Sequence, residues 1–129
     1  MTRVTGIGGI FLKSKDPKAM TEWYQRHLGI EFNDNSYFSF QWVNPHHPTL
    51  PGSTVFSFFK ETSDYFQPSE KMTMINFRVQ DLRALLTELE KEGVKIVGEM
   101  QEYPYGKFGW IMDPEDNKIE LWEPIDDGF

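Results

Sequence analysis

The residues best suited to chemistry are aromatic. Trp110 and Trp122 flank the turn sequence Asp113-Pro114-Glu115-Asp116-Asn117. A hairpin closed by that turn brings the two indoles onto neighbouring strands. Ring faces so placed hold flat molecules by stacking, or cations through their π electrons. The competing role for both is plain packing, inside a cup or at a subunit interface. His46 and His47 are adjacent in the loop NPHHPTLPG. Adjacent histidines seldom converge on one ion without further donors, and the motif offers none, so they read as a solvated pair. His27 falls late in a predicted helix, where a cation suits the helix dipole. Gly6, Gly8 and Gly9 lack the spacing and the following helix of a phosphate loop. No serine stands in a nucleophile-elbow context or in register with a histidine. The chain has no cysteine, which removes disulfides, thiolate metal sites and cysteine nucleophiles.

Composition narrows the partners. The 129 residues suit one domain, and a 16% aromatic content supplies rings for both a core and a cavity wall. A net charge of −7 argues against a nucleic-acid partner, which needs a basic face. No stretch approaches the roughly 20 apolar residues of a membrane span, and the N-terminus lacks the pattern of a secretory leader. A soluble cytoplasmic protein is expected.

The elements that must position these residues come twice. Residues 7–12 form an apolar strand. Asp16-Pro17 starts a helix carrying Met20, Trp23, Tyr24, His27 and Leu28, and Gly29 stops it. Strands are expected at 30–33, 37–43 and 54–60, with Asn33-Asp34-Asn35 as a tight turn and 44–53 as a proline-rich loop. The order then repeats. A strand spans 72–79, Asp81 caps a helix with Leu82, Leu85, Leu86 and Leu89 on one face, and Gly93 ends it. Strands follow at 94–97, 107–112 and 118–123, with Asn117 suited to left-handed geometry in the last turn. Residues 61–71 connect the halves, and the tail after Pro124 is expected to fray.

Alternation sorts the faces. Ile75, Phe77 and Val79 share one side of their strand, as do Ile119 and Leu121. Both sets suit packing under helices. Met74, Asn76 and Arg78, and Lys118, Glu120 and Trp122, point the other way. Phe108, Trp110 and Met112 join that wall, and so do Phe38, Phe40 and Trp42. The faces of Ser57 and Phe58 stay open, because STVFSFFK alternates poorly.

Two segments resemble the glyoxalase/bleomycin-resistance/dioxygenase (vicinal oxygen chelate) superfamily. IGGIFLKSKDPKAMTEWYQRHLGI is similar to its opening module, and YGKFGWIMDPEDNKIELWEP to its closing hairpin, with the DP-x-x-N-x-I-E-L pattern. The resemblance implies an α+β fold: two βαβββ modules, about 5–60 and 72–124, forming one domain over 1–129. The modules would make a curved mixed sheet with a cup-shaped site and helices on the outer face. It also implies a small-molecule ligand and a homodimer. Superfamily enzymes hold a divalent metal with His, Gln or Glu at four inner strand positions. Counted from the Asp that begins each helix, those positions fall on Gly9, on Ser57 or Phe58, on Met74 and on Glu120. Three of the four are lost, so neither a metal nor another cofactor is expected. Glu120 then serves as a general base or as the anionic contact of a cationic ligand. The plainer alternative is a carboxylate paired with Arg78 or Lys118, since a buried charge needs a partner. The expected ligand wall comprises Phe11, Phe40, Trp42, Phe58, Met74, Asn76, Arg78, Phe108, Trp110, Glu120 and Trp122. The reading that follows is a metal-independent binding protein for a cationic or aromatic compound, such as an antibiotic. The alternative is a divergent metal-dependent lyase, isomerase or dioxygenase.

Overall fold

A computed structural model describes residues 3–33, 36–44 and 47–125. Its elements run β1 (Val4–Ser14), α1 (Pro17–Leu28), β2 (Tyr37–Asn44), β3 (His47–Lys60), β4 (Thr73–Val79), α2 (Leu82–Lys91), β5 (Lys95–Tyr103), β6 (Gly106–Met112) and β7 (Lys118–Pro124). The seven strands form one open mixed sheet in the order β2-β3-β1-β4-β7-β6-β5. The two modules meet where β1 and β4 pair antiparallel. On either side a parallel pair follows, β1 with β3 and β4 with β7, and then a hairpin.

Local signals explain the helices. The Asp16 carboxylate accepts from the Ala19 amide at 3.1 Å, Pro17 opens the first turn, and Gly29 closes α1 with φ 70°. Asp81 caps α2 in the same way, through the Ala84 amide at 3.1 Å. The α2 stripe packs into the sheet, with Leu82 and Leu85 meeting Val79 and Leu121, and Phe77 and Ile119 closing around them. Burying each such side chain contributes about 1.5–3 kcal/mol. Tyr24 of α1 packs on Phe56 and Phe58 of β3, with ring centroids 5.6 and 5.0 Å apart.

Three expectations are corrected. Residues 30–33 are not a strand. Phe32 packs against Phe56 and Phe58, but the backbone link to β2 among the described residues is the bond from the Asn33 amide to the Tyr37 carbonyl, which is no ladder. The segment 47–53 is strand rather than loop. Among the described residues it pairs with β2 alone, because β1 joins β3 only from Val55 onward, so Pro51 faces Val43 without having to donate on its other side. In the last turn the positive φ falls on Asp116 (65°), not on Asn117. Asn117 is held instead by the Asp113 carboxylate, through its amide at 2.9 Å and its side chain at 2.8 Å. The predicted turn residues 34 and 35, His46, the His47 side chain and the tail from 126 lie outside the described residues.

Candidate functional site

Opposite the helices, the inner face of the sheet holds a cavity of about 430 Å³. β1 supplies Gly8 and Phe11, β2 supplies Tyr37, and β3 supplies Val55, Ser57 and Phe59. From the second module come Asn76, Phe108, Glu120 and Trp122, with Tyr105 from the turn before β6. Among these described lining residues Glu120 is the sole charged side chain.

Glu120 is 3% exposed. An unsatisfied carboxylate at that depth would be costly. Three neutral donors hold it. Asn76 Nδ2 donates to Oε1 at 2.7 Å, Trp110 Nε1 donates to Oε2 at 2.9 Å, and the Tyr65 hydroxyl donates to Oε2. Burial, reinforced by the Glu120 charge, pushes the Tyr65 hydroxyl well above its usual range, so it stays a donor. Asn76 is itself 2% exposed, and its Oδ1 has no hydrogen-bond partner among the described residues. Gly8 makes room for that oxygen, since a Cβ there would collide with it.

The alternative of an ion pair from Glu120 to Arg78 or Lys118 is not what the described residues show; these donors hold the carboxylate. Lys118, Glu120 and Trp122 do share a face, but alternate residues on a strand stand nearly 7 Å apart. Both cations lie against rings. The Lys118 ammonium donates to the Tyr65 carbonyl at 2.7 Å and lies 5.4 and 5.6 Å from the Tyr65 and Trp110 ring centroids. Burial pushes its pKa down, against the pull of Glu120 and Asp64. Arg78 is 4% exposed, with its guanidinium 5.4 Å from the Trp42 ring and 5.1 Å from the Trp122 ring. Trp122 in turn stacks on Phe108 at 5.7 Å and 10°.

Of the residues expected in the ligand wall, Phe11, Asn76, Phe108, Glu120 and Trp122 line the cavity. The others do not line it. Met74, 1% exposed, clusters with Phe11 and Phe66, and Trp110 packs against that cluster. Trp42 and Arg78 form the stack beside Trp122. Phe40 is 44% exposed and meets Phe38 edge-on. Phe58 turns under α1, so the position that the alternation left open belongs to Ser57.

Sequence reasoning missed Tyr37, Val55, Phe59, Tyr105 and the connector residues Tyr65 and Phe66. Phe66 is fully buried, and Tyr65 stacks on Phe59 at 5.5 Å and 21°. The adjacent rings Tyr65-Phe66 within an otherwise polar connector were the available signal.

The four positions that the family resemblance marks for a metal do not suit one. Gly9 offers no donor, and a Cβ there would press on the Phe11 ring. Ser57 offers a hydroxyl that donates to the Ser36 carbonyl at 3.3 Å. The Met74 thioether is sealed in the Phe11–Phe66 cluster, and the Glu120 oxygens are engaged by three donors. Among the described residues no three His, Cys, Asp or Glu side chains converge.

A duplicated module, an open mixed sheet and an inner cavity at the junction define a class of small α+β proteins. The chain belongs to the glyoxalase/bleomycin resistance protein/dioxygenase superfamily, whose sequence profile matches residues 6–121. No curated protein matches it in sequence. Solved structures share the fold. Methylmalonyl-CoA epimerase from Mycobacterium tuberculosis is 24% identical, with TM-score 0.57 over 97% of this chain and 91% of that one. A single-residue variant of Streptomyces coelicolor methylmalonyl-CoA epimerase, in complex with 2-nitronate-propionyl-CoA, is 16% identical with TM-score 0.67 over 94% and 98%. The Mn(II)-bound glyoxalase from Novosphingobium aromaticivorans is 20% identical with TM-score 0.55, over 95% of this chain and 40% of its own. Among the described residues no helix is long and apolar enough to cross a membrane.

Proposed function

We propose that the protein is a metal-independent, small-molecule binding protein, cytoplasmic and homodimeric, whose cup takes a flat aromatic ligand that is neutral or cationic. One observation carries this reading. The cavity is walled by rings, and Glu120 is the sole charge among its described lining residues. Flat rings gain by packing against the rings that line it, Tyr105 and Phe108 among them. A ligand carboxylate or phosphate would meet a like charge with no lining cation to offset it. Sequestration requires affinity alone and no metal ligands.

Calorimetric titration with naphthalene derivatives of each charge tests the reading. Saturable binding of neutral and cationic members, with naphthalene-2-carboxylate silent, is the expected result. If neither the neutral nor the cationic members bind, the reading fails. The second reading is a divergent metal-dependent enzyme. It draws on the glyoxalase neighbour with bound Mn(II) and on Glu120, which keeps a carboxylate at a family ligand position. Metal analysis separates the two.

A further inference from the structure

The molecule already holds two aromatic donors against Glu120, Trp110 and Tyr65. The Tyr65 ring stacks on Phe59, lies edge-on to Trp110 at 6.2 Å, and donates its hydroxyl to Glu120 Oε2. Phe59 and Glu120 both also line the cavity. The same two residues therefore face an internal ring on one side and the ligand space on the other. An ionised carboxylate has about four acceptor sites. Asn76, Trp110 and Tyr65 use three.

We infer that Glu120 is a specificity-determining acceptor for an O–H or N–H group on the ring of the ligand, and that Tyr65 competes with that group for the same carboxylate. This inference rests on the binding reading above and adds what the ligand must carry. Every internal contact of the carboxylate is a donor, so the ligand contact must be a donor as well. Charge-assisted bonds of this kind discriminate strongly, because a ligand without the donor desolvates the carboxylate and returns nothing. Tyr65 stands in the connector at 36% exposure. Removing its hydroxyl leaves the Glu120 charge less compensated and frees it for the ligand.

The test uses the full chain with 2-naphthol and 2-methoxynaphthalene, which differ by a methyl on one oxygen. Calorimetry should show naphthol binding about tenfold more tightly, the ratio carried by one charge-assisted hydrogen bond. Tyr65→Phe keeps the ring on Phe59 and should tighten naphthol several-fold while leaving methoxynaphthalene unchanged. Trp110→Phe, which removes a second internal donor, should act in the same direction and serves if Tyr65→Phe proves unstable. Equal affinity for both probes would overturn the donor requirement and leave the binding cup intact. Weaker naphthol binding in both variants would overturn the competition. Binding of neither probe would remove the cup reading itself.

Discussion

Ser57 and Glu120 occupy equivalent places in the two halves of the sheet. Ser57 is in register with Phe11 on the parallel pair β1–β3, and Glu120 is in register with Asn76 on the parallel pair β4–β7. The antiparallel pair β1–β4 matches Gly9 to Asn76 and Phe11 to Met74, so the halves are related by an approximate twofold. The same operation relates Phe59 to Trp122 and Tyr37 to Trp110. Scaffold symmetry has thus been kept while the chemistry has diverged. One half presents a small hydroxyl and leaves space. The other presents a carboxylate, with the connector ring of Tyr65 against it.

Ser57 and its neighbour Phe58 should separate binding from stability. Ser57 faces the cavity, and Ser57→Trp would fill it. Binding of any naphthalene probe should fall by more than about tenfold, with stability changed by less than about 1 kcal/mol. Phe58 is 6% exposed and supports α1. Phe58→Ala should cost about 3–5 kcal/mol in urea unfolding and leave affinity unchanged at temperatures where the protein is folded. Loss of binding in Phe58→Ala with a native unfolding curve would mean that the faces of β3 are reversed.

Metal content should remain substoichiometric. Elemental mass spectrometry after incubation with Ni, Zn, Mn, Fe or Co and gel filtration is expected to find little metal, and Glu120→Gln should not alter it. The Gly9, Ser57 and Met74 positions supply no strong ligand for such ions. One metal per chain that disappears in Glu120→Gln would put the metal-dependent enzyme reading first.

Much of this architecture could be read from residue patterns, because it rests on local signals. Asp16 and Asp81 start the helices by capping a nearby amide, Gly29 and Gly93 follow their ends with positive φ, and the alternation in 74–79 and 118–122 separates the two faces. Errors arose where a distant partner decides. Pro51 reads as loop until one sees that its strand has a neighbour on one side only. Residues 30–33 read as strand although, among the described residues, a lone backbone bond from Asn33 to Tyr37 ties them to β2. The site was half legible for the same reason. Trp122 and Glu120 follow from alternation, but Tyr65 reaches Glu120 across 55 positions through a connector with no periodicity.

Glu120→Gln should destabilise the fold. Glutamine presents one acceptor and an amide N–H₂, so at least one of the donors from Tyr65, Trp110 and Asn76 loses its partner. A buried unpaired donor costs about 1–3 kcal/mol. The expected signature is a lower urea midpoint with an unchanged slope. Glu120→Leu should lose more, as all three donors are then stranded. A Glu120→Gln protein as stable as the parent would mean that the carboxylate charge is not bound by these contacts.

Alkaline stability should depend on Tyr65. In the folded chain its hydroxyl is held above the usual range, whereas in the unfolded chain it ionises near about pH 10. Above that pH the unfolded state gives up this proton while the folded state keeps it. The folded state then binds more protons, and stability falls as pH rises. Lys118 acts with the opposite sign. Its lowered folded pKa means that the unfolded chain holds the extra proton, so its share of stability rises with pH up to the ordinary lysine range. Urea titrations between roughly pH 8 and 11 should therefore show a loss above about pH 10 that flattens in Tyr65→Phe. Lys118→Met should steepen the net decline by removing the opposing contribution. An unchanged alkaline limb in Tyr65→Phe would show that its hydroxyl is not committed to Glu120 in solution.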